Sequence, residues 1–249
     1  VRIAVCLKRV PDTTTKIVIA PGGKAIDESG VKFVPNPYDE YAVEEALKLK
    51  DAAGSGETVV FSLGGDAAQE TIRAALAMGI DRGVLLQGTP TADGLEVARA
   101  LTAELKAGNF DLVLFGKVAV DDYNHQVGVM VAELLELPCI TAVAHLIVAN
   151  GAVEAEREIE GGIEQVTASL PAVLTCDKGL NTPRLPSLKG IMAAKKKPLE
   201  SRPAQLGAGT ITALGLSLPP ERKPGQIVGE GAEAVPALVR LLREEAKVI

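Results

Sequence analysis

Tryptophan is absent from the 249 residues, and only three tyrosines and four phenylalanines are present. A sizeable core, which a hydrophobic fraction of 47% allows, must then be built from Val, Leu, Ile and Ala. That filling favours an α/β arrangement over a β-sandwich. Histidine is scarce too. His125 and His145 have no cysteine nearby, so a zinc centre would have too few soft ligands. The three cysteines, Cys6, Cys139 and Cys176, are odd in number, far apart and each set in an apolar run. They read as buried free thiols in a reducing compartment.

Other absences narrow the function. No apolar run approaches the roughly 18 residues of a membrane span, and no signal peptide is present, so a soluble intracellular chain is expected. Val1 opens directly in a strand pattern, so an initiator methionine is expected ahead of it. A net charge of −6 argues against a general nucleic-acid or membrane-surface protein, although Lys195, Lys196 and Lys197 form one local basic run. The common phosphate-binding fingerprints are missing: Gly22-Gly23-Lys24 is not a Walker loop, and Gly54-Ser55-Gly56 lacks the third glycine of a dinucleotide motif. No Ser or Cys sits in a nucleophile motif, and His145, inside an apolar run, reads as structural.

What is present alternates. Arg2–Leu7 is a buried strand followed by Lys8-Arg9 and the turn residues Pro11-Asp12; 16–20 and 31–34 suggest a small antiparallel excursion. Asn36-Pro37-Tyr38-Asp39 starts a helix, with Asp39 as its cap. That helix, over 40–53, should bury Val43, Ala46, Leu47 and Ala53 and carry an external Glu44–Lys48 pair. Thr58–Leu63 is a second strand, and Asp66 caps an Ala-rich helix to Met78. A strand at 83–86 and a helix from Asp93 to Ala107 follow. Repeated strand–helix alternation predicts a parallel sheet with helices on both faces.

The stretch Asp111–Leu137 is the most informative. Its run Leu112–Phe115, stopped by Gly116, reads as a strand buried on both faces. Lys117, Val118, Ala119 and Val120 form a loop, Asp121-Asp122 stand at a helix N-cap position, and Val127, Met130, Leu134 and Leu137 recur at helical spacing. Ligands of open α/β sheets lie beyond the strands' carboxyl ends, where a helix N-terminus favours an anion. His125, placed in the first helical turn beside Asn124 and Gln126, offers neutral groups that could read ribose or base. One aspartate would cap the helix and the other hold a sugar hydroxyl, with Lys117 balancing the charge.

Past Pro138 the pattern changes to hairpins at 139–148, 153–159 and 163–169, then one more strand at 171–176. The segment 180–203 is Pro-rich, then basic, and reads as a long exposed loop, a feature uncommon without a function. Leu185, Leu188, Ile191 and Met192 are its only apolar residues in periodic array. Beside Lys195–Lys197 they describe either a solvated face or a small docking surface with a charged rim. The stretch to Pro224 carries little pattern, and 232–247 forms an amphipathic helix.

Six ordered motifs resemble the β subunit of electron-transfer flavoproteins over nearly the whole chain: VRIAVCLKRVPD, NPYDEYAVEEALKLK, QETIRAALAMGIDRG, GKVAVDDYNHQVG, AEREIEGGIEQVTASLPAVLT and LNTPRLPSLKGIMAAKKK. The resemblance implies an open, mainly parallel Rossmann-like α/β sheet with a hairpin excursion and an extended C-terminal arm. It divides into a nucleotide-binding domain over 1–200 and an arm over 201–249 that packs on an α subunit. It implies a non-catalytic carrier with a structural AMP and an FAD held mainly by the α subunit. The carrier accepts electrons from acyl-CoA and related dehydrogenases of fatty acid oxidation and passes them to a quinone-linked oxidoreductase. The cytoplasm of a bacterium, or the mitochondrial matrix, is the expected compartment.

On that resemblance the AMP site comprises Cys6, Asn36, Pro37, Tyr38, Asp39, Leu63, Gly116, Lys117, Val118, Ala119, Val120, Asp121, Asp122, Tyr123, Asn124, His125, Gln126 and Val127. Thr13 stands where many relatives have a flavin-contacting tyrosine, and Tyr38 is the substitute. Leu188 occupies the place of a leucine that inserts into the dehydrogenase, with Leu185, Ile191, Met192 and Lys195–Lys197 around it, while the lysine often found at Ala193 is missing. A bifurcating branch carries a second FAD instead of AMP, but has glycine where this chain has Asp122. A free-standing adenine-nucleotide sensor is the remaining alternative.

Overall fold

The computed structural model describes residues 1–89, 93–207, 209–221 and 224–249. Its elements are β1 (Arg2–Cys6), β2 (Arg9–Pro11), β3 (Phe33–Pro35), α1 (Pro37–Ala53), β4 (Glu57–Gly64), α2 (Ala68–Met78), β5 (Arg82–Gln87), α3 (Gly94–Lys106), β6 (Leu112–Gly116), α4 (Val127–Leu135), β7 (Cys139–Ala149), β8 (Ala152–Ile159), β9 (Gly162–Ser169), β10 (Ala172–Cys176), α5 (Leu188–Ala194), β11 (Leu199–Pro203) and α6 (Val235–Glu244). Among the described residues, nine strands form one sheet in the order β11-β5-β4-β1-β6-β10-β7-β8-β9. Its pairings are parallel from β11 through β7, and β8 and β9 extend it as antiparallel hairpin strands.

The apolar runs explain the layering. Successive residues of a strand face opposite sides, so an unbroken run fills two cores. Ile3, Val5, Val60 and Leu114 pack with Val43, Leu47, Ile72 and Leu76 of α1 and α2. Ala4, Val59, Phe61 and Val113 pack with Leu101, Leu105 and Val131 of α3 and α4. Burying a Leu completely, as at Leu112 and Leu114, contributes about 1.5–3 kcal/mol each. The strand order reverses between β1 and β6, because β4 and β5 extend one way from β1 and β6 the other. A crevice opens there.

Several expectations are corrected. The helix at Pro37 begins with Asn36 as N-cap, and Asp39 is buried inside its first turn instead of capping it. Ala53 is exposed. Glu44 is buried and pairs with Arg184, while Lys48 pairs with Glu45 one turn away. Ala67, not Asp66, is the N-cap of α2, and Asp66 accepts a hydrogen bond from Gln87 instead. The excursion pairs β2 with β3, and an isolated bridge, Ile19–Ile26, joins its middle. Cys6 and Cys176 are buried, but Cys139 is partly exposed.

The largest correction lies at 180–203. Instead of a structureless loop, the segment contains α5, capped by Ser187, whose Oγ accepts from Gly190 N at 3.0 Å, and the edge strand β11 parallel to β5. The chain divides into compact units at 1–215 and 216–249, and β11 carries the main sheet to Pro203. Positions 208, 222 and 223 of the stretch expected to carry little order lie outside the described residues. The second unit holds a 3-10 turn at Ala232–Ala234 and then α6, with Val235, Leu238 and Val239 exposed. Among the described residues, no helix is long and apolar enough to cross a membrane.

Candidate functional site: a crevice at the carboxyl ends of β1, β4 and β6

A cavity of about 420 Å³ lies at the strand reversal, a size suited to a small ligand. One wall is apolar, with Phe61, Leu63, Val97 and Leu101, and the mouth carries Lys8, Asp121 and Asp122. Cys6, Asp39, Gly116–Ala119 and Asn124–Val127 complete most of the remainder.

Asp39 organises the floor. Its Oδ2 accepts from Lys8 N at 2.7 Å and its Oδ1 from Gly116 N at 2.9 Å, so one carboxylate joins the ends of β1 and β6 to the first turn of α1. Burial pushes its pKa up to about 7, against the two backbone donors, which favour the ionised form. A side chain at Gly116 would place its Cβ 2.4 Å from Asp39 Oδ1 and 2.6 Å from the Tyr38 carbonyl carbon, so glycine is required by close approach. Asn36, almost fully buried, donates from Nδ2 to Val118 O at 2.9 Å and accepts from Val120 N at 3.1 Å. The Asn36 amide thus fixes the loop after β6.

That loop runs farther than its sequence suggests. Tyr123 and His125 adopt left-handed conformations, φ 53° and 55°, which interrupt any helix, and α4 starts at Val127 with Gln126 as N-cap. Asp121 and Asp122 therefore do not cap a helix, and His125 precedes the first turn. Both aspartates accept from Lys8 Nζ, at 2.8 and 2.9 Å. Burial works to lower the Lys8 pKa, but these bonds outweigh it and hold it above its ordinary value. Among the described residues no side chain caps α4, so the N–H groups of its first turn remain aimed past its end beside the cavity. Lys117 pairs instead with Asp177 at 2.7 Å, so it does not balance the aspartates.

Thirteen of the eighteen expected positions line the cavity; Asn36, Pro37, Tyr38, Val120 and Tyr123 do not. Asn36 and Val120 act from behind the wall, and Tyr123 is largely exposed. Thr13 is exposed in the turn after β2, and Tyr38 lies under the Lys117 ammonium, 5.3 Å from ring centre. Neither Thr13 nor Tyr38 lines the cavity. From the sequence, Lys8 at a strand's carboxyl end is expected to face the crevice without being counted among its binding residues, whereas Phe61 and the first turn of α3 are not expected there. Lys8 follows a buried strand end and Phe61 shares a strand face with Leu63, and those positions were the available signals. Buried Cys6 has its thiol pKa pushed well up, first by burial and then by Asp39, so it is a wall residue and not a nucleophile.

Mononucleotide chemistry fits this donor set: an uncapped helix N-terminus and Lys8 for a phosphate, carboxylates for sugar hydroxyls, and an aliphatic and aromatic wall for a base.

Fold and crevice together define an open, doubly wound α/β protein with its pocket at a topological switch point. Comparison narrows the class. The profile of the electron transfer flavoprotein domain matches residues 24–206. The chain is 42% identical over 259 residues to the electron transfer flavoprotein subunit beta of Bacillus subtilis, covering 98% of each chain. It is 40% identical to that of Syntrophomonas wolfei, over 99% of this chain and 98% of the relative, and 39% identical to that of Homo sapiens, again over 99% and 98%. The chain belongs to the electron transfer flavoprotein family, with beta subunits as these relatives. The family is flavin-associated and acts in electron transfer, and such subunits are carriers rather than catalysts.

Proposed function

We propose that this chain is the β subunit of a heterodimeric, non-bifurcating electron-transfer flavoprotein that holds a structural AMP in the crevice between β1 and β6. The observation that carries the reading is the crevice itself, in a chain with full-length likeness to beta subunits. The first turn of α4 and Lys8 take the phosphate, Asp121 or Asp122 the ribose, and the apolar wall the base. Asp122 argues against a second FAD, because a carboxylate on this wall repels an additional phosphate.

FAD, held mainly by the α subunit, supplies the electron-carrying chemistry when bound. This chain's residues then position and dock. The α6 face of Val235, Leu238 and Val239 packs on the α subunit. Leu188, 83% exposed, with Leu185, Ile191 and Met192 exposed near it, seats in a pocket of acyl-CoA-type dehydrogenases. Lys195 and Lys196 are exposed at the rim. Lys197 is turned inward and donates to Leu76 O and Ile80 O at 3.0 and 2.6 Å, so its charge serves the end of α2. Electrons then pass to a quinone-linked acceptor, in the cytoplasm or mitochondrial matrix.

The test is reconstitution with a cognate α subunit, then flavin bleaching by an acyl-CoA dehydrogenase and its substrate. Rapid bleaching that slows in Leu188→Ala at unchanged flavin content is expected. A complex that the dehydrogenase does not reduce, or an unaffected variant, rejects the carrier or the docking role respectively.

A further inference from the structure

The segment 181–197 exposes large apolar side chains, yet it is tied down at both ends. Arg184 is the principal tie at the first end. Its guanidinium makes a two-pronged contact with Glu44, Nε to Oε2 at 2.9 Å and Nη2 to Oε1 at 3.0 Å, and both terminal nitrogens reach Asp51 at 3.2 Å. Its backbone N–H also donates to Glu44 Oε2 at 3.0 Å. Asn181 Nδ2 adds bonds to Tyr41 O and Glu45 Oε2, each at 2.9 Å. At the other end Arg73 donates to Ala194 O and Lys197 O at 2.5 and 2.8 Å.

These ties contrast with their surroundings. Glu44 is buried, whereas Leu185 between the ties is 92% exposed. Paired, planar contacts of Arg with a carboxylate fix orientation as well as position, which a lysine or a neutral amide does not reproduce. The stretch 181–188 has no apolar residue of its own in the core, unlike the following turn with buried Ala194, and untied it would sample many conformations; ordering each residue on binding has a free-energy cost.

We infer that Arg184 is a positioning residue: clamped by Glu44 and Asp51 of α1, it preforms the segment 181–188 so that Leu185 and Leu188 meet an electron-donating partner already ordered. The inference rests on the docking role proposed above. Preorganisation lowers what the partner must order, so it acts on association and not on the flavin.

The test uses the complete heterodimer as the substrate of an acyl-CoA dehydrogenase, comparing wild type, Arg184→Gln, Arg184→Lys and Leu188→Ala. Arg184→Gln should raise the apparent KM about tenfold, the scale of freeing one residue, with kcat and flavin content unchanged. It should also speed hydrogen exchange of amides 181–188 but not of α1. Arg184→Lys should fall between. Leu188→Ala should raise KM without altering exchange.

A raised KM in Leu188→Ala with unchanged KM or unchanged exchange in Arg184→Gln overturns the positioning role alone. An unchanged KM in Leu188→Ala overturns docking and the positioning role with it. Should Arg184→Gln fail to fold because Glu44 is left buried and unpaired, Glu44→Gln/Arg184→Gln removes both charges and carries the same expectations.

Discussion

Replacing Gly116 by alanine is the sharpest perturbation of the crevice. The new Cβ would lie 2.4 Å from Asp39 Oδ1, 2.6 Å from the Tyr38 carbonyl carbon and 2.7 Å from Asp39 N. Two of these are backbone atoms of α1, which cannot rotate away. Relief requires moving the β6 end off α1, which stretches the bond from Gly116 N to the buried carboxylate. Overpacking costs about 1–3 kcal/mol, and a buried acceptor losing its donor about 1–3 kcal/mol. The combined loss is therefore about 2–6 kcal/mol, a large share of ordinary domain stability. Equilibrium urea unfolding of the purified heterodimer, monitored by circular dichroism, should show the midpoint falling by roughly 1 M or more. Gly65→Ala is the control, because nothing lies within 4 Å of the Cβ it would add; its change should stay within about 0.5 kcal/mol. Equal stability of the two variants would refute the close-approach argument.

Two other expectations concern the same crevice. Burial raises the Asp39 pKa from 3.8 to about 7 in the folded chain, so the folded state binds this proton more tightly than the unfolded state. That contribution is complete below about pH 4 and is lost as pH rises through about 7. Unfolding free energies across that range should thus decline more steeply in wild type than in Asp39→Asn, and parallel curves would contradict the assignment. Asp121→Ala removes one of the two carboxylates that hold Lys8; nucleotide analysis should find AMP lost and gel filtration weaker subunit association, and stoichiometric AMP would count against the site.

How much of this was legible depends on how local the cause is. Strands β1, β4 and β6 announce themselves because a run buried on both faces must be continuously apolar, and Gly116 marks where β6 stops. β11, Leu-Glu-Ser-Arg-Pro, did not, because an edge strand needs no apolar run. Helix α5 is seven residues long, so the periodic array of Leu188, Ile191 and Met192 spans too few turns to mark a helix by itself. In the crevice, the loop after β6 was identifiable as a strand end. The late start of α4 was not, since nothing in Tyr123 or His125 advertises a left-handed backbone. Asp39 looked like a helix cap because its true partners, Lys8 N and Gly116 N, lie 31 and 77 residues away in the chain. Arg184 was hidden for the same reason, 140 residues from Glu44.

The proposed structural AMP would occupy the crevice of this chain, with the flavin held mainly by the α subunit. Denaturing the purified heterodimer and quantifying the released nucleotides by mass spectrometry tests it directly. About one AMP and one FAD per heterodimer is the predicted result. Two FAD and no AMP would contradict it.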